Sequence, residues 1–600
     1  MIHQGGGLQI RPPVTNLSCN ERGSSIMADP SALTLPEDPK EAQKAFQSLP
    51  TKNQLDIVLK ARGKERLHYL FLSENPKQLV QQLPGLEVFL TVKEVGERDS
   101  LELISLTTPE QFQYLLDLDF WKKDRLDPEK VLHWMELLVE SGEKKVNQFI
   151  QSTDPEFIAL LLKKFLAVNT IEGEALETRD RVPLFTLDQY YYIHFKGKGA
   201  REIFQPFLEI FYLVDNGGFR RLMDSLLLEF ESELEETGYR LRNARLADYG
   251  FPDFEEALEI YRFLNPDSLT VGERSPQAIG REEAGKEGSV FYLTFQNQGP
   301  FFSSVLSEID DLDEQDRLKQ EITALSNKAI VAEAIDLSNI AAMERTVKKV
   351  YHYLNLGLLY LSKEDRIKAS HLLRSLPLQR LFQCGVSTTI LLRRKAESIL
   401  ERPWFSKDEE NLVFLDPPHF ETFEGTLRKR PALYRNWSYE DFKTLQDLEE
   451  AEDFLEFIEA VVNFLGKEPK VYPRYLKELD LSGCHPEDWR EITLSTIFLT
   501  CLGNQVLRGV FRFEAIEQTR LGDFLHRVFE RDAQGKGVIR MEVKEKVREW
   551  LSSMESEDSR RQHLLAFQDF CLDLLEEGYG KIPPEEKVDS RFVKGLLIRK

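Results

Sequence analysis

"ELISLTTPEQFQYLLDLDF", residues 102–120, and "QFIQSTDPEFIALLLKKFL", residues 148–166, share one pattern at an offset of 46 residues. The residues that recur at the aligned positions are Ile104, Thr107, Pro109, Glu110, Leu115 and Leu116. The offset falls within the roughly 40–47 residues of HEAT and armadillo units, in which helices stack on their neighbours. The pair therefore favours stacked antiparallel helices in the N-terminal half of the chain.

Helix starts in this half are marked by a capping residue followed by proline. The side chain of the capping residue accepts a hydrogen bond from the first free N–H groups of a helix. Proline fits the first helical position because its missing N–H would have no partner there. The pattern predicts five helix starts, at Asp38-Pro39, Asn75-Pro76, Thr108-Pro109, Asp127-Pro128 and Asp154-Pro155.

Helical patterns continue through the rest of the chain. We predict an all-α fold in which a helical-repeat, solenoid-like N-terminal half packs on further α-helices, with few or no strands. The predicted regions are an N-terminal extension that is disordered or precedes a start at Met27 (1–33), a helical-repeat region (34–170), a central helical region (171–270), a linker (271–288), a helical region with irregular segments (289–440) and a C-terminal helical region (441–600).

Three apolar stretches give local predictions. "FTLDQYYYIHF" (185–195) predicts an amphipathic helix that begins at a capping box of Thr186 and Gln189 and buries one face. "VFYLTF" (290–295) is the best strand candidate because it is short, aromatic and bounded by glycine, and the alternative is an extended crossing segment. "ITLSTIFLTCL" (492–502) has about half the roughly 20 residues that a membrane span requires, and so predicts a buried helix.

Composition narrows the classes of function. Hydrophobic residues make up 42% and charged residues 30%, a balance typical of globular proteins. The net charge of −23 repels phosphate, so binding of nucleic acid is not expected. Five cysteines are scattered singly without a C-x-x-C pair, which indicates reduced thiols in a cytoplasmic protein.

Two short motifs approach known ligand sites but lack required residues. "GREEAGKE" (280–287) fits part of a phosphate-binding loop, yet Glu287 stands where Ser or Thr would hold magnesium. "DDLDEQD" (310–316) suggests a calcium loop, yet Asp316 and Ile322 occupy the positions of its required Gly and Glu. The sequence therefore predicts no cofactor, no metal ligands and no identifiable catalytic residues.

One region is basic although the chain is acidic. Residues 366–435 contain 13 Lys or Arg and 8 Asp or Glu, a local charge of +5. Such a patch can attract an acidic partner, whereas the simpler interpretation is a solvated face or cations near helix C-termini. Because clustered charges are rarely buried, charge reversal here is expected to leave folding intact. The candidate patch residues are Arg393, Arg394, Lys395, Arg428, Lys429 and Arg430.

These observations favour a non-catalytic scaffold or regulatory protein that binds other proteins on a helical surface in the cytoplasm. The alternative is an enzyme or small-ligand sensor whose site is assembled only in three dimensions. A deep pocket lined by convergent ionisable groups would favour the alternative, whereas a broad groove would favour the scaffold.

Several strings together resemble an uncharacterised bacterial family of large helical proteins, found especially in deltaproteobacteria. The resemblance covers roughly residues 40–600 and implies a helical fold, but it brings no activity, cofactor or site residue to this chain. The strings are "FLTVKEVGERDSLELI" (89–104), "LLDLDFWKKDRLDPEKVLHWMELL" (115–138), "RLADYGFPDFEEALEIY" (245–261), "YLNLGL" (353–358) and "DSRFVKGLLI" (589–598).

Overall fold

The computed structural model describes residues 38–122, 124–170, 185–269, 290–532, 535–580 and 595–600. These residues are predominantly α-helical, so the all-α prediction is confirmed. The extension 1–33, the linker 271–288 and the "GREEAGKE" motif lie outside the described residues. No helix in the described part of the chain is long and apolar enough to cross a bilayer.

The first part of the chain is built from short helices. They are α1 (Pro39–Ser48), α2 (Thr51–Lys60), α3 (Gly63–Leu72), α4 (Pro76–Gln82), α5 (Gly85–Val95), α6 (Leu101–Leu106), α7 (Pro109–Asp119), α8 (Pro128–Glu140), α9 (Glu143–Ser152) and α10 (Pro155–Lys163).

Longer helices dominate the remainder. They are α11 (Ala200–Val214), α12 (Asn216–Leu228), α13 (Glu231–Asp248), α14 (Phe254–Leu258), α15 (Val290–Leu293), α16 (Pro300–Leu306), α17 (Leu312–Ala332), α18 (Ile340–Ser362), α19 (Arg366–Ser375), α20 (Leu378–Leu400), α21 (His419–Leu427), α22 (Leu445–Leu465), α23 (Pro473–Lys477), α24 (Leu494–Arg508), α25 (Gln518–Val528), α26 (Met541–Met554) and α27 (Asp558–Tyr579).

The strands are short and form small sheets. Four two-stranded antiparallel sheets pair β1 (Trp121–Lys122) with β2 (Arg125–Leu126), β3 (Leu166–Thr170) with β4 (Tyr191–Phe195), β5 (Leu433–Arg435) with β6 (Ser438–Glu440), and β9 (Phe529–Arg531) with β10 (Gly537–Ile539). In a three-stranded sheet, β11 (Ile598–Arg599) lies between β7 (Cys484–His485), to which it is antiparallel, and β8 (Ile516–Glu517), to which it is parallel.

All five capping-residue starts are confirmed. The side chains of Asp38, Asn75, Thr108, Asp127 and Asp154 accept hydrogen bonds from N–H groups in the first turns of α1, α4, α7, α8 and α10. The predicted buried helix at 492–502 is also confirmed, since α24 is buried from Leu494 to Asn504.

The two similar stretches form similar pairs of elements. Residues 102–120 span most of α6 and all of α7, and residues 148–166 span the end of α9 and all of α10. Alternate helices pack in two rows. In the first row α2 contacts α4, α4 contacts α6 and α6 contacts α8; in the second row α3 contacts α5, α5 contacts α7 and α7 contacts α9. Helix length varies from 6 residues in α6 to 13 in α8, so a regular repeat is not shown, and the solenoid stays a prediction.

The helix predicted at 185–195 is wrong. Residues 191–195 form β4, in which buried Tyr191 and Ile193 alternate with half-buried residues. The Thr186 hydroxyl accepts the N–H of Gln189 at 2.9 Å, as in a capping box, but Gln189 has a φ of 59° and ends the turn. Period-2 burial and strong β-propensity thus outweigh the helical spacing of the same aromatic residues.

The strand predicted at 290–295 is also wrong, because Val290–Leu293 forms the short helix α15. The N–H of Phe291 donates to Glu87 Oε1 at 2.9 Å, across 204 residues of chain. Glu87 is buried and also pairs with buried Arg66 at 2.8 Å. A carboxylate at the start of a helical turn stabilises its free N–H groups, and no local signal in the sequence predicts it.

Buried hydrophobic residues form two core clusters. The first spans Phe46 to Val386, and the second includes Leu356 and continues from Leu392 to Ile598. Helices α18 and α20, each of 23 residues, contribute to both clusters and pack against each other. At their contact a Cβ on Gly357 would overlap the carbonyl oxygen of Leu381, and a Cβ on Gly385 would overlap that of Tyr353.

Lys145, which lies on α9, is a buried cation that caps the C-terminal end of α6. It is 4% exposed, and its Nζ donates to the Thr107 carbonyl at 2.7 Å, just beyond the last residue of α6. Among the described residues, no carboxylate oxygen lies within 4.0 Å of this nitrogen. Burial, together with the positive charge of Lys77, lowers the pKa of Lys145 to about 8.

Alanine in place of Gly385 is expected to destabilise the protein, because its Cβ overlaps the facing backbone. Overpacking costs about 1–3 kcal/mol or more, which exceeds the ~1 kcal/mol that Ala gains over Gly in a helix. Gly522→Ala in α25 is the matched control, since a Cβ there meets no atom within 4 Å and should stabilise the helix. Urea unfolding measures both variants, and a stabilised Gly385→Ala protein would contradict the close crossing.

Lys145 should make stability rise with pH above about 8. A free lysine has a pKa of about 10.5, so between about pH 8 and pH 10.5 the unfolded chain binds the proton more strongly than the folded chain. Lys145→Met removes this ionisation. We expect the free energy of unfolding of the wild type, relative to the variant, to increase from about pH 8 to pH 10 in urea titrations. A difference independent of pH would show that the amine is not desolvated.

Candidate functional site

The six predicted patch residues lie in two segments, one on α20 and one just after α21, and five of them contact a partner side chain. On α20, Arg393 pairs with Glu397 at 2.8 Å and Lys395 with Glu456 at 2.7 Å. The guanidinium of Arg394, between them, lies 3.8 Å from the centre of the Phe263 ring. Most of the positive charge of this triplet is therefore already neutralised or stacked within the protein.

The second triplet follows α21 and leads into the hairpin β5–β6. Arg428 lies 3.3 Å from the centre of the Tyr439 ring, and its nearest carboxylate, Glu424, is 3.5 Å away. Arg430 pairs with Glu333 at 2.8 Å. Lys429 is exposed and has no hydrogen-bond or ion-pair partner among the described residues. Lys429 is thus the cation of the six that remains free for a partner in the described structure.

A strained turn joins the two strands of this hairpin. Tyr434 pairs with Tyr439 across the strands, and Asn436 and Trp437 between them have φ angles of 50° and 63°. Positive φ at both central residues defines a type I′ turn, which normally carries Asn-Gly or Asp-Gly. An L-residue with a side chain pays about 1–2 kcal/mol for this conformation. Trp437 is nonetheless 87% exposed at the tip.

The strands below the turn are anchored on both sides. The Tyr439 hydroxyl donates to Glu424 on α21, and the Tyr434 and Tyr439 rings are 5.2 Å apart. On the other side Arg435 donates to Asp447 on α22 at 2.8 Å. Burial and the bond to Glu424 raise the pKa of Tyr439 to about 12, so its hydroxyl stays protonated at neutral pH.

We use the term hairpin surface for the exposed and half-exposed groups at this place: Arg428, Lys429, Tyr434, Trp437 and Tyr439. Aromatic and arginine side chains are the types that dominate binding energy in protein interfaces. They are held here on a two-stranded element that is fixed by hydrogen bonds and ion pairs to two helices. Chemically, this surface can offer an indole for burial and cations for pairing with a carboxylate.

A buried polar cluster lies behind the hairpin surface. Glu333, at the end of α17, has a side chain only 6% exposed and meets three partners: Tyr261 at 2.6 Å, Lys349 at 2.9 Å and Arg430 at 2.8 Å. Burial and the neighbouring Glu333 raise the pKa of Tyr261 well above its usual range. The cluster therefore ties the segment after α21 to the centre of the molecule.

His352 on α18 adds a second anchor. Its Nδ1 lies 3.1 Å from Asp441 Oδ2, just beyond β6. Burial tends to raise the pKa of Asp441, but His352 and Lys349 outweigh it and hold this pKa below its usual range. His352 Nε2 is buried and has no partner among the described residues. A histidine oriented by a carboxylate is the layout of a general base, but this ring nitrogen is not accessible to a reactant.

The sequence pattern does not single out Trp437, Tyr434 and Tyr439. The string "LYRNWSYE" (433–440) carries alternating residues on each side of "NW", and Asn at the first turn position is a known signal for this turn type. The signal was weak because Trp is not a usual second residue. Among the described residues, His, Cys, Asp and Glu form no group that could hold a metal ion.

The fold and this surface define a large protein whose described part is mostly helical and carries an exposed aromatic hairpin anchored to α21 and α22. Comparison with known families places the chain: the profile of the family of unknown function DUF6178 matches residues 43–599, and the chain belongs to this family. No curated protein and no solved structure matches it.

The position of Arg430 changes the expected effect of charge reversal. Arg430→Glu would place a second carboxylate beside buried Glu333 and should cost roughly 2–4 kcal/mol of stability. Lys429→Glu, one residue away and without a partner, should change stability by no more than about 0.5 kcal/mol. Chemical denaturation of the two variants compares them directly. Equal stabilities would mean that Arg430 does not pair with Glu333 in solution.

Proposed function

We propose that this chain is a non-catalytic cytoplasmic scaffold or regulatory protein that binds another protein through the hairpin surface. The observation that carries the proposal is Trp437, an indole 87% exposed at the tip of a strained turn. The exposed indole and the strained turn both raise the free energy of the isolated chain. Burial of the indole in a partner would lower the free energy and offset both costs. Backbone strain of this kind is concentrated at binding sites.

The chemistry of the surface suggests what the partner presents. The indole requires an apolar pocket, and the free ammonium of Lys429 favours a carboxylate at the rim of that pocket. Most of the other patch cations are already paired or stacked, so long-range attraction should contribute less than the local +5 implies. Affinity is therefore expected to come mainly from burial of Trp437 and the neighbouring tyrosines.

The compartment and origin are part of the proposal. Cys384, Cys484, Cys501 and Cys571 are separate, buried thiols, which suits a reducing cytoplasm. Burial raises the pKa of Cys384 to about 12, so this thiol is inert as a nucleophile. The resemblance of the chain to a bacterial, deltaproteobacterial family supports a bacterial origin.

An enzyme or sensor is the second candidate. The pair of His352 and Asp441 supports an enzyme by its layout, but the His352 ring is only 6% exposed and its Nε2 is buried. A general base must come within hydrogen-bond reach of the proton that it removes. The hairpin surface needs no rearrangement to meet a partner, and for that reason we favour the scaffold.

Site-specific cross-linking tests the proposal. A photoreactive phenylalanine derivative replaces Trp437 in the native host, and a second strain carries it at Tyr475, which is 45% exposed on α23. We expect one discrete protein adduct from position 437 and none of the same mass from position 475. The same weak, heterogeneous adducts from both positions would count against a dedicated surface.

Binding of the captured partner should then separate apolar from electrostatic contributions. Trp437→Ala is expected to weaken it by about 2 kcal/mol or more at every salt concentration, as for an interface hot spot. Lys429→Glu should weaken binding at low salt more than at high salt, because exposed charges are screened. Tyr475→Ala is the control. Unchanged affinity of Trp437→Ala would remove the hairpin surface from the interface.

A further inference from the structure

A cavity of about 290 Å³ lies between the end of α25, the hairpin β9–β10 and the end of α27. Its apolar walls are contributed by Leu525, Phe529 and Tyr579. Ligand cavities in proteins usually have about 300–1,000 Å³, so a cavity of this size suits a small molecule of roughly one ring. It lies at the edge of the second core cluster, open on the side of exposed His526 and Arg531, and involves none of the residues of the hairpin surface.

Tyr579 has an unused hydroxyl. The side chain is 2% exposed, and the oxygen has no hydrogen-bond partner in the described part of the chain. A buried hydroxyl without a partner is unfavourable, so native proteins rarely retain one unless something else supplies the bond. Because Tyr579 lines the cavity, a bound molecule can supply it.

Two guanidinium groups line the same cavity without a carboxylate partner. Arg540 donates from Nε to the Phe529 carbonyl at 3.1 Å and from Nη2 to the His526 carbonyl at 3.3 Å. Arg531 donates from Nη1 to the Gly535 carbonyl at 2.8 Å. Neither forms an ion pair with a described residue. Since a guanidinium has five N–H donors, both keep free donors for an anion.

The hairpin register places Arg531 on the face towards α27. Its cross-strand partner is Gly537, and directly paired residues project to the same face. A Cβ on Gly537 would lie 3.0 Å from the carbonyl oxygen of Gly580, which directly follows Tyr579. The glycine therefore permits the close contact with the end of α27 and leaves Arg531 without a side chain opposite it.

The remaining ionisable residues at the cavity are His526 and Glu530. Glu530 follows Phe529 and precedes Arg531 on β9, so strand alternation points its side chain to the opposite face. The two arginines thus outweigh one carboxylate at this place in a chain of net charge −23. An electropositive, partly apolar cavity in an acidic protein indicates an anionic organic ligand.

We propose that this cavity binds a small aromatic carboxylate. Arg531 and Arg540 pair with the carboxylate, the ring packs between Leu525, Phe529 and Tyr579, and the Tyr579 hydroxyl bonds to a polar group of the ligand. Guanidinium groups match carboxylate geometry with paired hydrogen bonds, which explains the preference over a neutral molecule of the same shape. This ligand site is independent of the proposed protein-binding surface.

Calorimetric titration of the full chain tests the proposal with benzoate and 4-hydroxybenzoate as probes. We expect at least one of them to bind with a Kd below about 1 mM, and benzamide, the neutral analogue, to bind about tenfold more weakly or worse. Absence of binding by both acids at about 10 mM would overturn the proposal. Inorganic phosphate that binds as tightly as the acids would overturn the assignment of the ligand as an aromatic carboxylate.

Three variants connect binding to the named residues. Arg531→Gln should weaken the bound acid about tenfold, whereas Arg527→Gln, on the same α25–β9 segment but paired with Asp523 at 3.0 Å, should not. Tyr579→Phe should weaken binding about threefold or more without lowering the melting temperature, because its hydroxyl has no partner in the protein. Unchanged affinity in both Arg531→Gln and Tyr579→Phe would show that the acids bind elsewhere.

Discussion

The contact between Gly357 and Gly385 is the constraint on which most of the structure depends. Two helices of 23 residues cross there at backbone distance, since a Cβ on either glycine would overlap a carbonyl oxygen of the other helix. Helices α16, α17, α19 and α22 pack on α18, and α17, α21 and α22 pack on α20. A wider crossing would therefore displace both core clusters and the hairpin surface that follows α21.

Buried ion pairs fix contacts between helices that apolar packing alone does not specify. Arg66 and Glu87 are both nearly inaccessible. They also bond to backbone groups of α2, α5 and α15, and Arg66 donates to the Thr91 hydroxyl at 3.1 Å. Asp117 takes two hydrogen bonds from Arg245 across 128 residues of chain, at 2.7 and 2.8 Å. Such pairs contribute little net stability, because desolvation offsets their attraction, but loss of one partner leaves a buried charge. They therefore select one arrangement of helices over others of similar apolar burial.

Some aromatic and cationic side chains have hydrogen-bonding groups or apolar surface that no contact within the described structure satisfies. Trp437 and Lys429 take no part in the internal network around Glu333, and Arg531, Arg540 and the Tyr579 hydroxyl keep free hydrogen-bonding capacity beside a cavity. Among the described residues, cations that have no carboxylate partner and lie beside exposed or partnerless aromatic groups are the physical basis for both proposals. The first surface suits a macromolecule and the second site suits a small anion.

The sequence by itself determined the helical class and where many helices begin, because capping and proline act within a few residues. Asp38, Asn75, Thr108, Asp127 and Asp154 all cap the helices that their spacing predicted. It did not determine the state of short aromatic runs. Residues 191–195 became a strand through pairing with β3, and residues 290–293 became a helix through Glu87, more than 200 positions away. Nor could charge counting separate Arg430, paired with buried Glu333, from free Lys429 beside it. Those outcomes depend on contacts between distant segments, and only the tertiary structure brings such segments together.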